Sequence, residues 1–316
     1  MNVLITGASG FSGIHMIEFL SIKEDIRITS LARKKPEHFS SAQNISWVEG
    51  DILNPAKIFN TISAIKPDAI IHLAGLNRGS LQDLQKTNVT GTQNILDATL
   101  KINPDCRILA ISSSAVYGYA GNTPIVESQI LKPLSEYGVS KAAQDTLCQM
   151  YNKTKGCQVA VARPFNLVGP YQPASFVCGR IVQQIIEIEQ GKRTCLDLLE
   201  IQSCRDFIDV RDVVKAYWTL LIHTKFKKDC AGKVFNIGSG KTYAISTVID
   251  QLSEITGKKY QLHLSASSPL ITIPSQMSDN SRIHRITGWN PHISLKESLS
   301  DMLNAARNDL HAGKTL

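Results

Sequence analysis

The stretch Asn2-Val3-Leu4-Ile5-Thr6-Gly7-Ala8-Ser9-Gly10-Phe11-Ser12-Gly13 decides the fold. A short apolar run meets three glycines spaced three apart, and Phe11, Ile14, Ile17, Phe19 and Leu20 then recur near the helical period. That order is strand, turn, helix. A glycine turn lets the backbone approach a ligand closely, and the helix start offers free N–H groups and a favourable dipole. The stretch therefore suits a pyrophosphate.

Working outward, strands are expected at residues 26–32, 45–49, 69–73, 107–112 and 158–163, with helices at Pro55–Ile65, 81–101 and 136–152 between them. This alternation predicts an α/β fold, a parallel sheet covered by helices on both faces. After Pro164 the texture changes, with Gly169, Pro170 and Pro173 in quick succession. Helices at 176–190, Val210–Leu221, Ile245–Thr256 and 295–306 and a strand at 233–237 follow. Because ligands of open α/β sheets lie at the carboxyl ends of the strands and need a cover, the second half reads as a smaller substrate-binding lobe. The expected division is a dinucleotide-binding domain of residues 1–165 with a returning segment of 207–238, and a lobe of 166–206 and 239–316.

The 316 residues are 43% hydrophobic and 19% charged, which excludes a disordered, collagenous or small disulfide-stapled chain. No stretch approaches the roughly 18 uninterrupted apolar residues of a spanning helix, and the first apolar run leads straight into Gly7 rather than a cleavage site. The expectation is a cytoplasmic protein with no membrane partner. Seven cysteines occur without a C-x-x-C pair or a histidine rhythm that would suit zinc, so they are expected to be reduced, with no metal site. The 34 basic and 27 acidic residues leave a net charge of +7. The basic residues are scattered, their longest runs being Arg33-Lys34-Lys35 and Lys227-Lys228. With no basic stripe interleaved with aromatics, an anionic small molecule is expected rather than nucleic acid.

The second strand ends Ser30-Leu31-Ala32-Arg33-Lys34, where an NAD site would place a carboxylate for the ribose hydroxyls. Two cations after an uncharged residue favour NADP(H) over NAD(H), with Arg33 as a 2′-phosphate donor; the plain alternative is a solvated loop charge. Tyr137 and Lys141 stand four apart on one helical face, so the ammonium is expected to pull the phenol below its free pKa of about 10. Such a phenol exchanges a proton near neutrality. Ser112, Ser113 and Ser114 end a strand at the edge where ligands of such sheets lie.

Together the residues resemble the extended short-chain dehydrogenase/reductase family of sugar-nucleotide epimerases, dehydratases and reductases. The glycine turn, Gly50-Asp51-Ile52, His72-Leu73-Ala74-Gly75, Asn88-Val89, Ser112-Ser113-Ser114-Ala115-Val116-Tyr117-Gly118, Tyr137 with Lys141, and Arg163-Pro164-Phe165-Asn166 stand in the family's order. Within the family, Leu167-Val168-Gly169-Pro170-Tyr171-Gln172, Arg205-Asp206-Phe207-Ile208-Asp209-Val210-Arg211-Asp212, Val234-Phe235-Asn236-Ile237-Gly238-Ser239-Gly240 and Thr287-Gly288-Trp289 before Pro291 are similar to the GDP-6-deoxy-4-hexulose reductases.

The resemblance implies a Rossmann-type doubly wound sheet. It also implies an NADPH-dependent reductase of a nucleotide-diphosphate 4-keto-6-deoxyhexose, a GDP-sugar favoured, making a deoxysugar donor for surface polysaccharide. By the same likeness Ser113 holds the keto oxygen, Tyr137 is the acid and Lys141 anchors the nicotinamide ribose. The cofactor set becomes Gly7, Ser9, Gly10, Phe11, Ser12, Gly13, Arg33, Asp51, Ile52, Leu73, Ala74, Gly75, Asn88, Tyr137, Lys141 and Pro164. Ser114, Asn166, Arg180 and Arg205 are the substrate set, and relatives pair as homodimers through the helices at 81–101 and 136–152.

Two departures narrow this reading. The family's 4,6-dehydratases end the two positions after the catalytic Ser/Thr in a glutamate base, whereas this chain has Ser114 and Ala115, which argues against dehydration. The reductase subgroup tends to carry an arginine for the nucleotide diphosphate near the position of Ser268-Pro269-Leu270-Ile271. No arginine occurs between Arg211 and Arg282, so the diphosphate falls to Arg205, with Arg180 as a second cation. A 4-epimerase using the same residues with a retained NAD, and a noncatalytic dinucleotide sensor, remain alternatives. Gly240-Lys241-Thr242 lacks the first glycine of a triphosphate loop, and His72 reads as a packed core histidine.

Overall fold

The computed structural model describes residues 1–34, 44–265 and 273–311. Lys35 and Ser268-Pro269-Leu270-Ile271 therefore lie outside the described residues. The chain runs β1 (Asn2–Thr6), α1 (Phe11–Ser21), β2 (Arg27–Ala32), β3 (Ile45–Glu49), α2 (Pro55–Ile65), β4 (Ala69–His72), α3 (Leu81–Gln85), a π-helical turn (Lys86–Thr90) and α4 (Gly91–Ile102). It continues with β5 (Arg107–Ile111), a 3-10 turn (Ser114–Tyr117), α5 (Glu136–Lys155), β6 (Val159–Pro164), β7 (Asn166–Val168), α6 (Val177–Glu189), β8 (Leu196–Leu198), β9 (Cys204–Arg205) and β10 (Phe207–Asp209). The remainder is α7 (Val210–Leu221), α8 (Phe226–Asp229), β11 (Val234–Ile237), β12 (Tyr243–Ala244), α9 (Ile245–Thr256), β13 (Leu262–Leu264), β14 (Ser275–Gln276), α10 (Ser281–Thr287) and α11 (Leu295–His311).

Seven strands form one parallel sheet in the order β11-β6-β5-β4-β1-β2-β3, a doubly wound Rossmann-type arrangement. Strands covered on both faces must be apolar throughout, and β4 and β6 are buried along their whole length, whereas the edge strand β3 is half-exposed. One core lies on the face that carries α1 and α7, the other on the face that carries α2, α4 and α5. The strand order reverses between β1 and β4, so a crevice opens beyond Thr6 and His72, where Gly7 and Leu73 follow.

Local chemistry sets the helix ends. Asn54 accepts from Lys57 N–H at 2.9 Å ahead of Pro55, and Ser135 accepts from Gly138 N–H at 3.1 Å to start α5. The helix expected over 81–101 is interrupted by the π turn, which directs the buried Asn88 side chain at Leu76 and Ser140.

A third core gathers α6, β8, α9 and α11 into the lobe. We retain the sequence-based division as a proposal with one refinement: Ile283 of α10 and Trp289 pack into the α1–α7 core, so the segment 239–316 returns in part to the sheet.

Candidate active site

A cleft of about 680 Å³ opens beyond the carboxyl ends of the strands, between the glycine turn and the lobe. Its sheet-side wall includes Gly7, Gly10, Phe11, Ser12, Gly13, Leu73 and Gly75. Ser113, Ser114, Tyr137, Lys141, Pro164 and Asn166 form its middle, and Arg205 with Gln276 stands on the lobe side. The structure thus brings the proposed catalytic set to one place. Ser9, Arg33, Asp51, Ile52, Ala74, Asn88 and Arg180 are not among the cleft-wall residues.

Those outside have visible occupations. The Asp51 carboxylate accepts from Leu53 N–H, and Ile52 is buried with its carbonyl accepting from Asn94. Asn88 accepts from Leu76 N–H at 2.8 Å and donates to Leu76 O and Ser140, which braces the segment after Gly75 from behind. Arg33 stands exposed just past β2, and Arg180 is exposed in the first turns of α6.

The glycine turn fits a phosphate group. Gly7 adopts φ +72°, and a Cβ there would stand 2.5 Å from Ala74 N; a Cβ on Gly13 would stand 2.4 Å from Gly7 O. At Gly10 an added Cβ would meet Gly7 O at 3.3 Å and, among the described residues beyond its chain neighbours, no other atom within 4 Å, and the position borders the cleft. The first turn of α1 has neither a capping side chain nor an acidic residue, which leaves its amide end for an anion.

The end of β5 turns sharply because the Ser113 hydroxyl accepts from Ala115 N–H at 3.1 Å and starts the 3-10 turn. That bond uses one of the oxygen's two lone pairs and leaves the Ser113 proton to be donated on the side where Tyr137 is its hydrogen-bonding neighbour. On α5, Gly138, Lys141, Gln144, Asp145, Cys148 and Tyr151 share the buried face. Lys141 Nζ donates to Ile111 O at 2.7 Å and to Gln144 Oε1 at 2.8 Å, which occupies two of its three protons. Gln144 in turn donates to Thr92, which donates to Asn88 O and meets His72 Nε2 at 2.9 Å. With its proton given to the Asn88 carbonyl, Thr92 accepts from His72, so Nε2 carries the proton and Nδ1 accepts from Thr6. Burial, then the Lys141 charge, hold His72 neutral with a pKa of about 3. It is the packed core histidine expected.

One expectation fails. Burial raises the Tyr137 phenol above its ordinary pKa, opposed by a hydrogen bond with Ser113 and reinforced by Asp145. The Lys141 ammonium, 6.0 Å from the Tyr137 ring centroid, does not offset the burial of the phenol. The phenol stays protonated at neutral pH, the form a proton donor needs. Burial lowers the pKa of Lys141 itself to about 8, against the pull of Asp145.

Arg205 pairs with neither Asp206 nor Asp209. Asp206 accepts from Ser239, Gly240 and Ser278, and Asp209 holds Arg211 and Ser298. The Arg205 guanidinium donates to Cys204 O and Ile273 O, and no carboxylate lies within ion-pair distance of it among the described residues. Among the described residues, the cleft wall contains no Asp, Glu or His; its ionisable groups are Tyr137, Lys141, Arg205 and Tyr217. Ser114 and Ala115 both border the cleft, and neither supplies a base.

Sequence reasoning missed Gln276 and Gln172. Gln276, on a two-residue strand paired with β9, donates to Ser114 O at 3.2 Å and Gly118 O at 3.1 Å and so ties the lobe to the 3-10 turn. Gln172 donates to Leu167 O and accepts from Gly179 N–H, anchoring the loop before α6. Gln172 closes the family-like stretch that begins at Leu167 without its own role being marked, and no local pattern marks Gln276.

Comparison with known proteins extends this picture. The model of the GDP-mannose 4,6 dehydratase family matches residues 4–302. The chain is 34% identical to the GDP-6-deoxy-D-mannose reductase of Pseudomonas aeruginosa, covering 96% of both chains. It is 25% identical to the GDP-6-deoxy-D-talose 4-dehydrogenase of Aggregatibacter actinomycetemcomitans, covering 91% of this chain and 92% of that protein. Among solved structures, RMD from Pseudomonas aeruginosa complexed with NADPH superposes with a TM-score of 0.82 at 31% identity, over 97% of this chain and 99% of the other.

Proposed function

From the premise that the chain belongs to the GDP-mannose 4,6 dehydratase family, we propose that it is an NADPH-dependent reductase of a nucleotide-diphosphate 4-keto-6-deoxyhexose, the GDP-sugar first. One observation carries this reading. Ser113, Tyr137 and Lys141 converge in a cleft whose described wall lacks the carboxylate base a dehydratase requires. The 34% identity to a GDP-6-deoxy-D-mannose reductase and the NADPH complex of the similar structure support the nucleotide and the cofactor.

When bound, the cofactor supplies the hydride for the sugar carbonyl carbon. The chain's part is to hold and to protonate. The turn from Gly7 to Gly13 and the amide end of α1 receive the pyrophosphate, and Arg33 stands past β2 for a 2′-phosphate. The third proton of Lys141 is left for a ribose hydroxyl. Ser113 donates to the keto oxygen, and the protonated Tyr137 delivers its proton as charge builds there. Arg205, which Glu200 influences electrostatically without any carboxylate at ion-pair distance among the described residues, takes the substrate diphosphate. Free thiols at all seven cysteines support a reducing, cytosolic setting, and exposed Val139 and Met150 on α5 support a homodimer through that helix.

The test is NADPH oxidation with a panel of enzymatically generated nucleotide-diphosphate 4-keto-6-deoxyhexoses, with NADH as control. Stoichiometric oxidation with one of them is expected, and Tyr137→Phe should lower turnover by about 10²–10⁴ with little change in cofactor affinity. Sugar interconversion without net NADPH consumption would make it an epimerase. Tight dinucleotide binding with no turnover would make it a sensor.

A further inference from the structure

Tyr217, on α7, is fully buried and borders the cleft, yet its hydroxyl has no hydrogen-bond partner among the described residues. Buried polar groups are nearly always paired, because stripping water from an unpaired hydroxyl is costly. A phenylalanine would pack as well without that cost. The mechanism above makes no use of this group.

Its surroundings say what it awaits. Tyr217 belongs to the core packed against Leu73 just past β4, Ile111 at the end of β5 and Leu167 within β7, which together form an apolar cleft floor. Tyr137 lies near enough to act on it electrostatically. A flat ring with a polar edge would suit this floor, its face against the aliphatic side chains and its edge against the phenol. The dinucleotide's reacting ring must lie before Tyr137, since that is where the keto carbon is held.

We propose that the Tyr217 hydroxyl is a cofactor-binding group that hydrogen-bonds the carboxamide of a nicotinamide ring laid on the cleft floor. The proposal rests on the dinucleotide reading of the site. A carboxamide both donates and accepts, so it satisfies a hydroxyl in either sense. It also explains why an unpaired phenol is kept in an otherwise apolar floor.

The experiment compares the wild-type protein with Tyr217→Phe. Dissociation constants are measured for NADPH and NADH, and for ADP-ribose and its 2′-phosphate, which lack only the nicotinamide. Because the hydroxyl has no partner among the described residues, its removal breaks no hydrogen bond among them, and the ligand-free variant should melt at the same temperature or higher. The dinucleotide bound by the wild type should weaken about fivefold to tenfold in the variant, and the ADP-ribose ligands should bind both proteins alike. Unchanged dinucleotide affinity, or an equal loss for the ring-free ligands, would overturn the assignment while leaving the reductase reading intact. If the wild type binds neither dinucleotide, both fall together.

Discussion

Lys141 carries a charge in a place that resists charge. Burial brings its pKa down from 10.5 to about 8, and the nearby Asp145 keeps it from falling further. Below about pH 8 the ammonium is intact and its third proton is available to a cofactor ribose. Above that value the charge is lost, while the Tyr137 phenol, raised by burial, keeps its proton. We therefore expect kcat/KM to fall on the alkaline side with an inflection near pH 8, and Lys141→Met to abolish both the inflection and most of the activity. A pH–rate profile that stays flat to pH 9.5 would refute this assignment. The same group contributes to stability with a defined sign. Between pH 8 and 10.5 the unfolded chain binds the additional proton, so the contribution of Lys141 to stability rises with pH across that window.

At the scale of elements, the π turn between α3 and α4 is where backbone irregularity serves the site. It places Asn88 so that its amide makes one bond to Leu76 N–H, one to Leu76 O and one to Ser140 on α5. Asn88→Ala would remove the partner of both Leu76 groups, with Ser140 keeping its bond to Tyr137 O, and we expect it to cost about 2–4 kcal/mol in urea denaturation at pH 7. A loss below about 0.5 kcal/mol would mean that the turn does not depend on this side chain. The turn also marks where reading the chain reaches its limit. Pro55–Ile65, Val210–Leu221 and Ile245–Thr256 were legible to the residue because caps, prolines and apolar spacing act locally. The seven sheet strands were legible as apolar runs between those helices. The π turn was not, because its cause is a set of partners on other elements. The pairs β8 with β13 and β9 with β14 are two or three residues long and join segments far apart in sequence, so no periodicity could announce them. The site followed the same rule. Ser113, Tyr137 and Lys141 were legible from spacing and family likeness, whereas Gln276 and Tyr217 stand out only through what the fold sets beside them, and the lowered Tyr137 pKa inferred from spacing gave way to the burial of the phenol.

Across the whole molecule, one buried polar chain links α5 to the edge of the sheet and to the lobe. Arg163 on β6 donates to Asp145 on α5 at 2.6 Å and to the Tyr117 hydroxyl at 2.8 Å; Tyr117 donates to Asn236 on β11, and Asn236 donates to Ile125 O and Asp279 O. Both charges of the Arg163–Asp145 pair are buried, so their value is asymmetric: the intact pair adds little over apolar residues, but a broken one strands a charge. Arg163→Met should destabilise the protein by about 3–5 kcal/mol at pH 7, and adding Asp145→Leu should restore much of that loss. The pH dependence follows from the carboxyl left behind. Burial already pushes the Asp145 pKa up, and Arg163 is the strongest influence holding it back. Without Arg163 the folded state binds a proton that the unfolded state releases above about pH 4, so the single variant should lose stability as pH rises from there towards neutrality. The double variant has no such carboxyl and should lack that slope. If the single variant instead shows no added pH dependence between pH 4 and 7, Asp145 is not held by Arg163, and the connection from α5 to the lobe must run through other contacts.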